Sequence, residues 1–194
     1  MDKPTRADRS DAGCLARTFA RAMLDDPMIR WPLLGDVDVA RLEHMTGPLV
    51  AMYLDVSAAW MLEDGKAMAA WIPPEAASRF DALEQPTRRA IAPWTGDDGV
   101  RYGRFWDWLA SHVPDEPSWF LDLVAVDPSV QGRGLGTRLV EHGLALARST
   151  SLPAFLETGQ ERNVRLYERL GFRVVAQESA PDGGPTIWFM STAP

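Results

Sequence analysis

The apolar run "WFLDLVAV", Trp119–Val126, passes directly into "DPSVQGRGLGTRLV", and this junction constrains the fold more than any other feature of the chain. A nearly continuous apolar run of that length predicts a strand covered on both faces. Three glycines, Gly132, Gly134 and Gly136, then alternate with Arg133 and Leu135. After them Leu139, Val140, Gly143, Leu144 and Ala147 recur at helical intervals, until Ser149-Thr150-Ser151 and Pro153 stop the helix. A strand that feeds a side-chain-poor loop and then a helix forms an α/β unit, and it aims several backbone N–H groups at the positive helix end. Such a loop either cradles an anion or merely turns the chain. The spacing rejects two nucleotide loops: the third glycine falls one residue too early for GxGxxG, and no lysine follows as in a Walker loop.

The remaining elements read in order. Helical spacing covers Asp11–Leu24 and stops at Asp25-Asp26-Pro27; a second helix is predicted from about Val37 to Asp55. "SAAWMLED" and "AMAAWI" predict a hairpin around a tight Asp64-Gly65 turn, ended by Pro73-Pro74. From Glu75 to Val113 the pattern is helical in pieces, with breaks expected near Pro86 and Pro93. The last piece carries Tyr102, Phe105, Trp106, Leu109 and Val113 on one face, either as core or as the wall of a substrate site. "AFLET", Ala154–Thr158, predicts a strand, "ERNVRLYERLGF" a helix ended by Gly171, and "FRVVAQES" and "TIWFM" two strands joined at "DGGP". The chain of 194 residues is thus expected to form one α/β domain over residues 1–194.

Composition excludes some functions. A formal net charge of −7 disfavours nucleic acid and suits a cationic small molecule. The opening "MDKPTRADRSDAG" has no apolar leader core, and no run approaches the ~18 apolar residues of a membrane span, so a cytoplasmic protein without a membrane partner is expected. Cys14, the single cysteine, has no partner for an internal disulfide. His44, His112 and His142 stand far apart and match no metal-ligand spacing, so no metal is expected. Eight tryptophans fit either core or interface, leaving monomer and homodimer both open.

Some positions carry chemistry on their own. Asn163 and Tyr167 are four apart on a helix and face the same way. Asp122 and Glu157 are carboxylates within strands otherwise suited to burial, which is costly unless each faces a cleft or a partner.

At this point the residues resemble a known family. "AVDPSVQGRGLGTRLV" resembles the acyl-CoA signature of the GNAT N-acetyltransferase superfamily, whose pattern Gln/Arg-x-x-Gly-x-Gly/Ala is met by Gln131, Gly134 and Gly136. "RNVRLYERLGF" resembles a second family motif through Asn163, Tyr167 and Leu170-Gly171-Phe172, so two ordered motifs span residues 119–175. "EPSWFLDLVAVDPSVQGRGLG", "PAFLETGQERNVRLYERLGF", "GPTIWFM" and, upstream, "AAWIPPE" are most similar to the puromycin N-acetyltransferase branch. Two departures stand out. The segment before Asp11 lacks the apolar first strand of the family, and Asp122 stands where that branch has a small residue.

The resemblance implies a single-domain GNAT fold, with a central mixed, mostly antiparallel sheet and helices on both faces, and acetyl-CoA as cosubstrate. Gln131, Gly132, Arg133, Gly134, Leu135, Gly136 and Thr137 would bind its pyrophosphate through backbone amides, and Val124, Ala125 and Val126 would flank the pantetheine arm, which Asn163 would hydrogen-bond. Moving an acetyl group from a thioester to an amine needs a held donor, a deprotonated nucleophile, a stabilised oxyanion and a proton for the leaving thiolate. Tyr167 would be the acid, and Glu157 or Asp122 the base. The loop "LDDPMIRW" would cover the acceptor, with Asp25, Asp26 and Trp31 suited to an aromatic amine. The implied reaction is direct acetyl transfer to the primary amine of a small molecule, puromycin-like or another xenobiotic. The alternatives are a peptide or protein amine, and a non-catalytic acyl-CoA-binding module.

Overall fold

Asp64 and Gly65 both take positive φ, which closes the hairpin between β2 (Ala59–Leu62) and β3 (Ala67–Ile72). Every residue of β3 is buried. This strand is the inner seam of a seven-stranded sheet described, with the rest of the chain, by a computed structural model covering residues 3–193. In chain order the elements are β1 (Thr5–Arg6), α1 (Ala12–Ala22), α2 (Pro27–Arg30), α3 (Val39–Asp55), β2, β3, α4 (Ala77–Ile91), α5 (Val100–Ala110), β4 (Trp119–Val126), α6 (Leu135–Ser149), β5 (Ala154–Thr158), α7 (Glu161–Arg169), β6 (Arg173–Ser179) and β7 (Thr186–Ser191). The sheet order is β1-β2-β3-β4-β5-β7-β6, and every neighbouring pair is antiparallel except β4 with β5. The sheet is therefore mixed and mostly antiparallel, as expected.

Helices cover both faces. On one, α6 packs Leu139, Val140, Leu144 and Ala147 against Trp71, Leu121 and Leu156. Gly143 permits this approach: a Cβ there would lie 2.0 Å from the indole of Trp71. On the other face α1 and α3 pack Leu15, Phe19, Val50 and Tyr53 against Met68, Ala70, Leu123 and Ala125.

Two expectations need correction, and one is refined. The helix after Pro74 does not break at Pro86; α4 runs through it to Ile91 and ends just before Pro93. Pro86 is exposed, so the missing N–H bond and the bend it causes fall on the solvent side. A first strand is present, although not an apolar one. Thr5 and Arg6 are exposed and pair by backbone with Met61 and Trp60. Finally, β4 is not covered evenly on both faces: buried and half-buried residues alternate along it.

The cause is a bulge. Ala70 pairs with Leu123 and Trp71 with Leu121, which leaves Asp122 as an extra residue. Trp119 and Leu121 face the α6 layer, whereas Leu123 and Ala125 face the α1/α3 layer. The strand thus turns over at Asp122.

Candidate active site

The parallel pair β4 and β5 is bonded only at its start, through Trp119 with Ala154 and Phe120 with Phe155. Beyond these residues the strands part, although β4 continues to Val126 and β5 to Thr158. The parting leaves the second half of β4 without a strand neighbour on that side, available to a ligand that pairs along its edge.

The glycine loop lies at the far end of this edge. Asp127 accepts hydrogen bonds from Ser129 N (2.9 Å) and Ser129 Oγ (2.6 Å), which folds Pro128–Val130 into a tight turn. Gly132 and Gly134 have φ of +77° and +75°, the left-handed region in which glycine carries no penalty. Open space lies where a side chain would stand at either position, so the backbone there is accessible. Gly134 caps α6 with no side chain donating or accepting at the cap, and Gly136 sits over Val124 and Val126. The first N–H groups of α6 therefore converge on open space beside β4, an arrangement that fits a diphosphate.

Two loop side chains already have partners. Gln131 Nε2 donates to the Val126 carbonyl (3.0 Å), which makes Gln131 a clamp on the loop. Arg133 makes a two-pronged ion pair with Glu63 of the β2–β3 turn (2.8 and 2.6 Å).

Where the strands part, a chamber of about 120 Å³ opens between the sheet and helices α1, α3, α4 and α5. It brings together Asp122, Val124, Glu157, Asn163 and Tyr167, all expected at the site from sequence. Ala125 is not among them. Its side chain is fully buried on the α1/α3 face, so it can meet a donor only through its backbone. The residues Gln131–Thr137 form the adjoining loop and helix start. Of the acceptor-loop residues, Asp26 lines the chamber. It caps α2 through Met28 N (2.9 Å) and accepts from Gln160 Nε2 (2.5 Å), tying α2 to the start of α7. Asp25 is exposed, and Trp31 stacks beneath Arg101 (3.9 Å) and beside Phe105; neither lines the chamber. The aromatic stripe divides: Phe105 and Leu109 are core, whereas Tyr102 and Trp106 line the chamber.

The electrostatics are dominated by buried acid. Burial pushes the Asp122 carboxyl up to about 6, opposed by a hydrogen bond that the Tyr53 hydroxyl donates to it. Glu157 is pushed well above the usual carboxylate range by burial and then by Asp122, and its Oε2 has neither solvent contact nor a hydrogen-bond partner. Glu84 is also raised, by burial, although Arg88 (3.3 Å) opposes the shift. Burial raises the Tyr167 phenol, with Asp26 and Glu157 adding to the effect, so this hydroxyl keeps its proton at neutral pH.

Sequence reasoning missed Tyr53, Phe80, Glu84 and Arg88, which line the chamber from α3 and α4. Glu84 and Arg88 form a one-turn ion pair on an amphipathic helix, a pattern shared by ordinary solvated faces. Their half-burial is set by packing that no local pattern encodes.

Known proteins are similar to this chain in sequence and in fold. Residues 57–172 match the sequence profile of the Acetyltransferase (GNAT) family. A mycothiol acetyltransferase of Thermomonospora curvata is 36% identical over 121 residues, which cover 59% of this chain and 39% of that protein. The peptidyl-lysine N-acetyltransferase YjaB of Salmonella typhimurium is 34% identical over 87 residues, covering 40% of this chain and 57% of that one. The chain thus spans between two fifths and three fifths of these relatives' lengths. A crystal structure described as histone acetyltransferase HPA2 and related acetyltransferase, from Corynebacterium glutamicum, superposes with a TM-score of 0.66. It is 23% identical and covers 99% of this chain and 96% of its own, showing the same fold.

Proposed function

Because the chain belongs to the acetyltransferase (GNAT) family, whose members take their acetyl group from acetyl-CoA, we propose that it acetylates the primary amine of a small molecule by direct transfer. One observation carries the reading: a single chamber joins the parted edge of β4 to Glu157, Asp122, Asn163 and Tyr167. Acetyl-CoA supplies the activated thioester. The backbone amides of Gln131–Thr137 hold its diphosphate at the start of α6, and Asn163 bonds the arm that lies along Val124–Val126.

Glu157 accepts the ammonium proton of the acceptor. Its unpartnered oxygen leaves a site for an N–H donor, and burial together with Asp122 raises the affinity of the carboxyl for that proton. Asp122, fixed by Tyr53, adds negative charge that favours the cationic amine and keeps the Glu157 pKa high. The amine nitrogen then bonds to the acetyl carbon as the carbon–sulfur bond breaks, with a backbone N–H at Val124 facing the developing oxyanion. Tyr167 gives its proton to the departing sulfur and recovers one from solvent or from Glu157.

The small volume of the chamber, about 120 Å³, walled by Leu49, Met52, Tyr53 and Phe80 of α3 and α4, favours a small acceptor over a peptide. The resemblance to the puromycin N-acetyltransferase branch supports a xenobiotic amine, and puromycin belongs in any acceptor panel. Thiol release from acetyl-CoA in the presence of such a panel tests the proposal. Glu157→Gln and Tyr167→Phe should each lower the rate by roughly 10²–10⁴-fold, the usual worth of a positioned acid or base, with acetyl-CoA binding retained. Unchanged rates in both variants would remove these residues from the chemistry.

A further inference from the structure

A second cavity, of about 630 Å³, opens between the segment after β3, α4 and the chain from the end of α5 to β4. Its volume lies in the range of sites that hold small ligands. It shares Phe80, Glu84, Trp106, Asp122 and Glu157 with the reaction chamber, so the two cavities abut at the proposed base. Three more carboxylates, Asp81, Asp115 and Glu116, stand exposed on its rim, and no Lys, Arg or His among the described residues lines it. Apart from its carboxylates and Ser118 the lining is apolar or aromatic, including Ile72, Leu109 and Phe120.

The nearest cation of the chamber does not neutralise this arrangement. Arg88 is committed to Glu84 and to Asp107, and it is absent from the lining of the second cavity. At the inner end Glu157 Oε2 is buried without any donor. A carboxylate oxygen in that state is costly unless a ligand completes it.

We propose that this groove holds the tail of an extended polycationic amine, with one ammonium at the Asp81/Asp115/Glu116 rim, a methylene stem along the apolar wall, and the reacting amino group at Glu157. The inference rests on the amine-acetylation reading and narrows it to diamines or longer polyamines. Acid at both ends with hydrocarbon between them selects for the distance between two charges, which a monoamine cannot satisfy.

The test compares linear α,ω-diamines of increasing length with alkyl monoamines of matched length. The expected result is a kcat/KM that peaks at one diamine length and exceeds that of the matched monoamine. Asp81→Asn, Asp115→Asn and Glu116→Gln should each raise the diamine KM by about fivefold, the upper worth of one rim ion pair, without changing kcat, the monoamine KM or the acetyl-CoA affinity. Calorimetric titration of the diamines into protein saturated with CoA gives a readout independent of turnover. Diamine binding weakened by the rim variants, with no acetylation, would fail the reaction while upholding the groove. Equal diamine and monoamine affinity, or diamine binding indifferent to all three rim substitutions, would overturn the proposal. Preferential turnover of a lysine-containing peptide over every diamine would overturn it as well.

Discussion

Tyr53 and Asp122 are 69 residues apart in sequence, yet the phenol donates directly to the carboxylate inside the chamber. That bond is the one influence that holds the Asp122 pKa down against burial and Glu84. Tyr53→Phe should therefore raise it above about 6, and the acid limb of kcat/KM should move to higher pH while acetyl-CoA binding stays constant. A limb that stays in place would show that Asp122 does not need to be ionised. The same shift governs stability. The folded protein binds this proton more tightly than the unfolded chain does, since the pKa rises from 3.8 to about 6. The contribution of Asp122 is then most favourable below 3.8 and is lost as pH rises through about 6. Asp122→Asn removes that loss, so its melting temperature should climb relative to the wild type across this window and stay higher above it. Paired thermal melts against pH check the sign. Asn163 and Tyr167 could be read from sequence because their relation is a local four-residue spacing. Asp122 and Glu157 could be read as anomalies, being acids in buried strands. Tyr53 and Glu84 could not, because only the docking of α3 and α4 over the sheet gives them their neighbours.

At the scale of elements, the placement of α6 decides whether its N-terminus lies beside β4. Gly143 sets that placement, since any side chain there collides with Trp71. Gly143→Ala should destabilise the fold by about 1–3 kcal/mol, as overpacking of a core does, and should weaken acetyl-CoA binding. Chemical denaturation with a parallel binding titration would measure both effects. At the start of the same helix, the Arg133–Glu63 pair competes with any diphosphate for the guanidinium. Glu63→Gln should lower the KM for acetyl-CoA by a few fold and leave kcat unchanged; an unchanged KM would mean that Arg133 takes no part in donor binding. The glycine loop was the most legible element of the chain, since its spacing and its place after an apolar run are both local. The course of α4 through Pro86 was not legible. Whether a helix tolerates proline depends on which face the lost bond occupies, and that is known only once the helix is packed.

For the molecule as a whole, periodicity and turn chemistry supply the order of elements, whereas the mixed sheet and its two helical layers are implied by the family resemblance. The parting of β4 from β5 does not follow from them. It depends on a bulge at Asp122 that turns the strand over and on long-range packing of α6 against one face and α1 and α3 against the other. The site exists because of this parting, with the donor edge, the acids and the acceptor cavities meeting where the pairing ends. The account requires that the acetyl group pass straight from sulfur to the acceptor nitrogen in this chamber. The most direct measurement supplies acetyl-labelled acetyl-CoA with a panel of primary amines, polyamines and puromycin among them, and weighs both the amines and the protein by mass spectrometry. The prediction is label on an amine in step with CoA release, and none on the protein. Label retained on the protein, or donor binding with no labelled amine at all, would contradict it.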